Sequence, residues 1–490
     1  MHKPLLFTSI LAIAAVLATG AASAASFPEA LAATGAERVQ SIEFEAAGKW
    51  FQFGQAPIPG QAWPQFDVSS YDAKINYETA EADVKIVRKQ TIDPARERPV
   101  PVEQRLRQVV SGRDAWNIAQ PAANAAPGAQ PTVTSQTAAA EERLAEIWAT
   151  PQGFLRAAHA NNVQAKPVEN GLELSFTLGG KCRYTGFVNA KNQVESVKTW
   201  IDNPVLGDIL IETAFSDYKD FDGVPFPGRI TRSQGGFPVL DLAVSSVKVN
   251  KPVDITVPGV IATLKPASIA VTNLADGVYY LTGGTHHSVL IEQKDHLVLV
   301  EAPLNEDQSL ALAAKSKEIA PNKPIKYVIN SHVHFDHSGG LRTFVAQGAT
   351  IVTQDLSKAY YEKVWANPHT IKPDALAKEP KPAQFLAYAD KTVLGEGDRH
   401  KIELYRLAGS GHADDLAAIY LPGEKLLIEG DAYTPPAAGA PLPATPNPYS
   451  VNLLENIEKR KLNVERIAAL HGPRVATLAD LKTYIGVQTQ

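Results

Sequence analysis

Ser331-His332-Val333-His334-Phe335-Asp336-His337-Ser338-Gly339-Gly340 is the stretch that decides how the rest of the chain is read. Three of the 12 histidines fall inside it, directly after the apolar run Ile325 to Asn330, which reads as a strand. From residue frequencies, the pattern H-x-H-x-D-H arises by chance in only about a few of every ten thousand chains of this size. Extended backbone throws His332 and His334 to the same side, so one metal ion can take both. The tightening toward Gly339-Gly340 turns Asp336 and His337 toward an adjacent position. Neutral imidazole and carboxylate are the ligands that a borderline divalent ion such as zinc favours.

Completing such a site needs ligands at strand ends or loops downstream. Three stand there: His412 in Gly409-Ser410-Gly411-His412, Asp431 in Glu429-Gly430-Asp431, and His471 in Leu470-His471-Gly472. Each borders an apolar strand and a glycine, which permits close backbone approach. The surrounding pattern from about Ile261 alternates strands with helices. Val278 to Leu281, Val289 to Gln293 and Leu297 to Glu301 read as consecutive strands. Asn305 caps a helix to about Ala320, and further strands run over Thr350 to Thr353, Ile402 to Leu407, Ala417 to Leu421, Lys425 to Ile428 and Arg466 to Leu470. This predicts an α/β unit with mixed sheets.

In order, spacing and local context, His332, His334, Asp336, His337, His412, Asp431 and His471 resemble the ligand set of the metallo-β-lactamase superfamily. The resemblance covers about residues 265 to 488. It implies an αββα sandwich with two divalent metal ions, zinc by ligand chemistry, at one edge between two sheets. By the family's pattern His332, His334 and His412 bind the first ion, Asp336, His337 and His471 the second, and Asp431 bridges them. A structural zinc would instead be a closed four-ligand cage, often rich in cysteine, whereas Cys182 is the only cysteine. The activity implied is hydrolysis of a small ester, lactone or amide by a hydroxide between the metals, with Asp336 orienting it and collecting its proton.

Departures from the family narrow this reading. Ala413-Asp414-Asp415-Leu416 stands where glyoxalase II and similar thioesterases typically show a Thr and a Gly. Exported β-lactamases of the third subclass share the histidine motif but carry Ser at the position of Asp431. Lactonases of the superfamily have a Tyr shortly after the bridging Asp, and Tyr433 is near that place but not in register, so it reads either as a candidate oxyanion donor or as a surface packing residue. His286 and His287 precede the Val289 to Gln293 strand; His287 is taken as the candidate substrate contact. Glu301 sits where many members have a strand-end Asp supporting the ligands, and reads either as such a support or as a plain turn carboxylate. Thr434 to Pro448 is long for a connection and reads as a lid or a solvated loop. Alternatives to the hydrolase are β-lactamase-type activity, an iron-dependent redox enzyme, although no flavin motif is present, and a carrier of an apolar ligand with an auxiliary metal site.

Residues 26 to 258 read as a mostly antiparallel β domain preceding the sandwich at 259 to 490. Its short runs, such as Leu172 to Leu178, Val194 to Ile201 and Leu240 to Val249, are rich in β-branched and aromatic residues punctuated by turns. A helix is predicted from about Glu141 to Asn161, after an Ala/Pro-rich insertion from Gln120 to Ala140. Cys182 is expected in the core. Tyr218 to Arg232 resembles the strand pattern of periplasmic lipoprotein-carrier half-barrels, which implies a curved sheet able to hold something apolar.

At the N-terminus, His2 and Lys3, the apolar run Leu5 to Leu17 and Ala22-Ser23-Ala24 have the three parts of a secretory signal peptide over residues 1 to 25. A periplasmic or secreted location follows, with no stable membrane span after cleavage. The 490 residues, 44% hydrophobic and 20% charged, exclude a disordered or fibrous chain. A net charge of -5 with no long run of either sign leaves no electrostatic footprint for nucleic acid. The expected partner is a small-molecule substrate.

Overall fold

The computed structural model describes residues 25–121, 128–263 and 268–487. The leader over 1 to 25 thus lies, but for Ala25, outside the described residues, as does the middle of the Gln120 to Ala140 insertion. No helix of the described residues is long and apolar enough to cross a membrane.

The first unit is one 13-stranded sheet. It consists of two runs of antiparallel neighbours joined where the first strand, Ser41–Phe51, pairs on one side with Gln65–Asn76 and on the other with the last strand, Phe237–Val249. Burial alternates residue by residue along Gly207–Ser216, as a sheet with one face on a core requires. Gly48 sits at a register shift between Ser41–Phe51 and Gln65–Asn76. Its φ is +154°, and a Cβ there would lie 2.1 Å from the Asp241 carbonyl, so only glycine fits.

The buried face is covered by two helices, Ala140–Trp148 and Pro151–Ala160, rather than by the single helix predicted from the sequence. The break follows from Thr150, whose hydroxyl caps the second helix by accepting from Gly153 N, and from Pro151, which has no N–H to continue the first. Phe154, fully buried, lies over Gly186, where a Cβ would come within 2.4 Å of its ring. Cys182 opens the strand Cys182–Asn189 at a hairpin and is exposed, not in the core as expected.

The second unit is an αββα sandwich. A seven-stranded sheet runs from Ala270–Ala275 to Gln384–Tyr388 and a six-stranded sheet from Lys391–Leu394 to Ala476–Thr477. Both are mixed: Leu297–Val300, Ile325–Ile329, Thr350–Gln354 and Gln384–Tyr388 are parallel, the preceding strands antiparallel. Val289, Val298 and Ile329 of one sheet meet Leu404, Ile419 and Ile428 of the other in a buried apolar layer. Helices Glu306–Ile319, Leu341–Ala346 and Asp355–Val364 cover one outer face, and Pro448–Lys459 and Leu478–Tyr484 the other.

The two units share a core. Ile201, Val205, Leu206, Ile209 and Ile211 of the first sheet pack in one cluster with Leu290, Phe344 and Tyr361 of the sandwich. The Asp208 carboxylate accepts from the backbone N–H groups of Thr370 and Ile371 beside it.

Candidate metal centre

The strand Ile325–Ile329 delivers His332 and His334 to one edge of the sandwich, and the four-residue helix Phe335–Ser338 carries Asp336 and His337 just beyond. Leu426–Glu429 and Arg466–Ala469 are parallel neighbours of the other sheet, so Asp431 and His471 leave it at the same edge. His412 comes from the loop between Ile402–Arg406 and Ala417–Leu421. An isolated bridge between His286 and His471 ties the two sheets together there.

These residues gather into two groups, each with ligand atoms within 4.8 Å of one another: His332, His334, His412 and Asp431, and His286, Asp336, His337 and His471. Asp431 stands between them. Its Oδ2 is 2.9 Å from His412 Nε2 and 3.6 Å from His332 Nε2, while its Oδ1 is 2.9 Å from His471 Nε2 and 3.1 Å from His337 Nε2. Despite those distances Oδ1 makes no hydrogen bond among the described residues. His412 Nε2 and His332 Nε2 are 3.3 Å apart, and two nitrogens on one tetrahedral zinc at about 2.0 to 2.1 Å would be separated by about that distance.

Outer hydrogen bonds fix which nitrogen of each ring faces inward. Glu301, fully buried, accepts from His337 Nδ1 at 3.0 Å and from Asn330 Nδ2 at 3.0 Å. Ser331 Oγ also donates to Glu301 and accepts from His332 Nδ1 at 2.9 Å. One carboxylate therefore sets the tautomer of a histidine in each group, leaving both Nε2 lone pairs aimed at Asp431. His471 Nδ1 donates to the Thr285 carbonyl at 3.1 Å. His334 Nδ1 is buried with no hydrogen-bond partner among the described residues. Lone pairs and carboxylates converging on a buried space are the donor set of a divalent cation.

The electrostatics agree. Burial alone would depress the His337 pKa, but the Asp431 and Asp336 carboxylates outweigh it and hold His337 well above the ordinary histidine value. Burial, with His332 and His412 adding to it, pulls His334 well below. Burial presses Asp431 upward, but His337, His412 and His332 together outweigh it and hold the carboxyl well below the carboxylate range. The site attracts positive charge, and a proton on His337 is the smallest cation able to supply it.

Two residues singled out from the sequence stand elsewhere. Tyr433 is fully buried against Tyr484, its hydroxyl without a hydrogen-bond partner among the described residues, and its backbone N–H donates to Glu429. A Tyr two positions past Asp431 follows the Glu429 turn into the helical layer and away from the metal edge, which corrects its assignment as an oxyanion donor. His287 turns its Nε2 to the Gly472 carbonyl at 2.7 Å and its ring to Tyr280. Its neighbour His286 enters the second group instead, with Nε2 3.2 Å from Asp336 Oδ2. The strand register decides between them, and a one-residue shift reverses the face.

Some supporting residues carry no mark in the sequence. Asp415, fully buried, accepts from Val333 N at 2.8 Å and Ser357 Oγ at 2.7 Å and pins the backbone between His332 and His334. Gln55 and Ala56 reach the site from the first unit. They lie some 280 positions upstream of the histidine motif, too far for spacing to reveal.

The family model described as "Metallo-beta-lactamase superfamily" matches residues 281–471. A comparison with curated proteins returns no match. Solved structures similar to part of the chain include a metallo-beta-lactamase from Pontibacter korlensis, 19% identical, covering 45% of this chain and 98% of that one with a TM-score of 0.35. Another is the metallo-beta-lactamase FIM-1 from Pseudomonas aeruginosa in its mono-zinc form, 16% identical over 46% and 96% of the two chains, TM-score 0.35. A third is a metallo-beta-lactamase from Hirschia baltica, 19% identical over 45% and 97%, TM-score 0.33.

Proposed function

We propose, from the match of residues 281–471 to the metallo-β-lactamase superfamily model, that this protein is an exported hydrolase of that superfamily that uses two divalent metal ions, zinc by ligand chemistry, to cleave a small ester, lactone or amide. The observation that carries the reading is Asp431, which offers one carboxylate oxygen to each of two histidine-rich groups.

His332, His334 and His412 would hold one ion, Asp336, His337 and His471 the other, with Asp431 between. Two such ions supply Lewis acidity that polarises a carbonyl oxygen and makes water a nucleophile near neutral pH. The chain's own part is positioning. Asp336 is partly exposed, with Oδ1 held by Gln55 and Oδ2 beside His286, so it is placed to orient a water and take its proton. Glu301 keeps the histidine nitrogens turned inward, and the fully buried Asp415 and Glu429 shape the loops that bear them.

The test is hydrolysis of a β-lactam, an acyl lactone, a thioester, an aryl ester and a phosphodiester by the purified protein, with and without chelator. A chelator-sensitive rate on the lactone or ester, restored by zinc, is the expected result. A rate insensitive to chelator, or confined to the phosphodiester, would overturn the reading.

A further inference from the structure

Four consecutive residues of the first unit each hydrogen-bond to the loops that carry the metal-site residues. They lie in the connection between Ser41–Phe51 and Gln65–Asn76, whose base is closed by Gln52 N donating to the Pro64 carbonyl. The Gly54 carbonyl accepts from Phe335 N at 3.1 Å. Gln55 Nε2 donates to Asp336 Oδ1 at 2.7 Å. The Ala56 carbonyl lies 3.1 Å from His334 Nε2, and the Pro57 carbonyl accepts from Asp414 N at 2.9 Å.

The Ala56 contact has a definite chemical consequence. A carbonyl oxygen only accepts, so His334 Nε2 must carry its proton, and in the neutral ring the lone pair is then on Nδ1. That nitrogen is buried and has no hydrogen-bond partner among the described residues, and His334 is a member of the first group. His332, His337 and His471 find their outer partners within the sandwich itself. His334 finds its partner in the other unit.

Packing holds the loop in place. Phe53, Trp63 and Phe335 meet edge to face with ring centroids 5.2 to 5.7 Å apart, and Ala56 and Trp63 are buried. Gly54 has φ +80°, and a Cβ there would lie 2.7 Å from the Phe335 ring. A second segment grips the same loops: Arg96 pairs with Asp414 at 2.9 Å, and the Glu97 carbonyl sits against Gly411, where a Cβ would be 1.7 Å away.

We propose that the first unit is a working part of the metal centre, its loop Phe53 to Pro57 holding His334 and Asp336 in ligating geometry, with Gln55 and the Ala56 carbonyl as positioning groups. The proposal rests on the reading of the two groups as metal sites. Partners of this kind, which orient ligands without touching the ion, typically govern metal affinity by about 10- to 100-fold.

The experiment is zinc binding by the full chain, in competition with a chromophoric chelator, for the unaltered protein, Gln55→Ala and Gly54→Val. Far-ultraviolet circular dichroism and melting of the metal-free proteins run alongside. Gln55→Ala is the deciding variant, because it removes one hydrogen bond without forcing the backbone. The expected result is two zinc ions in the unaltered chain, with the ion on the Asp336 side bound about 10-fold or more weakly in Gln55→Ala at unchanged metal-free melting. Gly54→Val, which expels the loop, is expected to weaken both ions. Two ions bound with unchanged affinity in Gln55→Ala would overturn the positioning role and leave the hydrolase reading standing. No zinc bound by the unaltered chain would overturn both.

Discussion

Replacing Glu301 by Gln changes one atom and reaches both halves of the site. The carboxylate accepts from four donors: Asn330 Nδ2, Ser331 N, Ser331 Oγ and His337 Nδ1. An amide oxygen has two lone pairs, and its NH2 is a donor that must face two of those four. Turned toward His337 and Ser331 Oγ, it forces the His337 proton onto Nε2, the nitrogen 3.1 Å from Asp431 Oδ1, and removes the lone pair a metal needs. Turned toward Asn330 and Ser331 N, it sets donor against donor in a fully buried place, at about 1 to 3 kcal/mol for each orphaned group. Metal affinity is expected to fall about 10- to 100-fold, which is about 1.4 to 2.8 kcal/mol. Chelator competition with zinc reads this directly, and turnover at subsaturating zinc should fall with it. Unchanged affinity in Glu301→Gln would refute the tautomer argument.

His286→Ala should weaken the ion on the Asp336 side, whereas His287→Phe should leave zinc stoichiometry intact; the two are compared by metal analysis after dialysis. Asp202→Asn should alter the pH dependence of stability. Burial, aided by Asp208 and opposed by Lys372, raises the Asp202 pKa from its ordinary 3.8 to about 6. Between those values the unfolded chain loses a proton that the folded one keeps, so this group makes stability fall as pH rises from about 4 to about 6 and adds no further slope above. The variant should therefore melt higher than the unaltered protein at pH 7, the difference vanishing toward pH 4, and a constant difference across that range would contradict the assignment. Phe154→Ala removes a ring that is fully buried and packed on Phe176 and should cost the first unit about 3 to 5 kcal/mol in denaturant unfolding.

The histidine motif, the capped helix after Asn305 and the alternation of strands were readable because each rests on local spacing. The spacing of His332, His334, Asp336 and His337, and the glycines beside His412, Asp431 and His471, also marked in advance the seven side chains that gather at one edge of the sandwich. The choice between His286 and His287 was not, because it depends on a register set by strand pairing with Leu297–Val300 and on contact with His471. Tyr433 misled because distance along the chain from Asp431 carries no direction; the Glu429 carboxylate, accepting from Ala432 N and Tyr433 N, folds the segment away. Cys182 was expected inside because free cysteines usually are, and the hairpin places it at a turn. The part played by Gln55 and Ala56 is a long-range packing result that no periodicity encodes.

The central claim is tested most directly by counting metal ions in the purified protein and in Asp431→Ala, with turnover of the responsive substrate measured on the same samples. Two ions per chain, falling to one or fewer with loss of turnover while the first unit stays folded, is the predicted result. A variant that keeps two ions and full turnover would contradict the bridging role of Asp431 and the dinuclear site built on it.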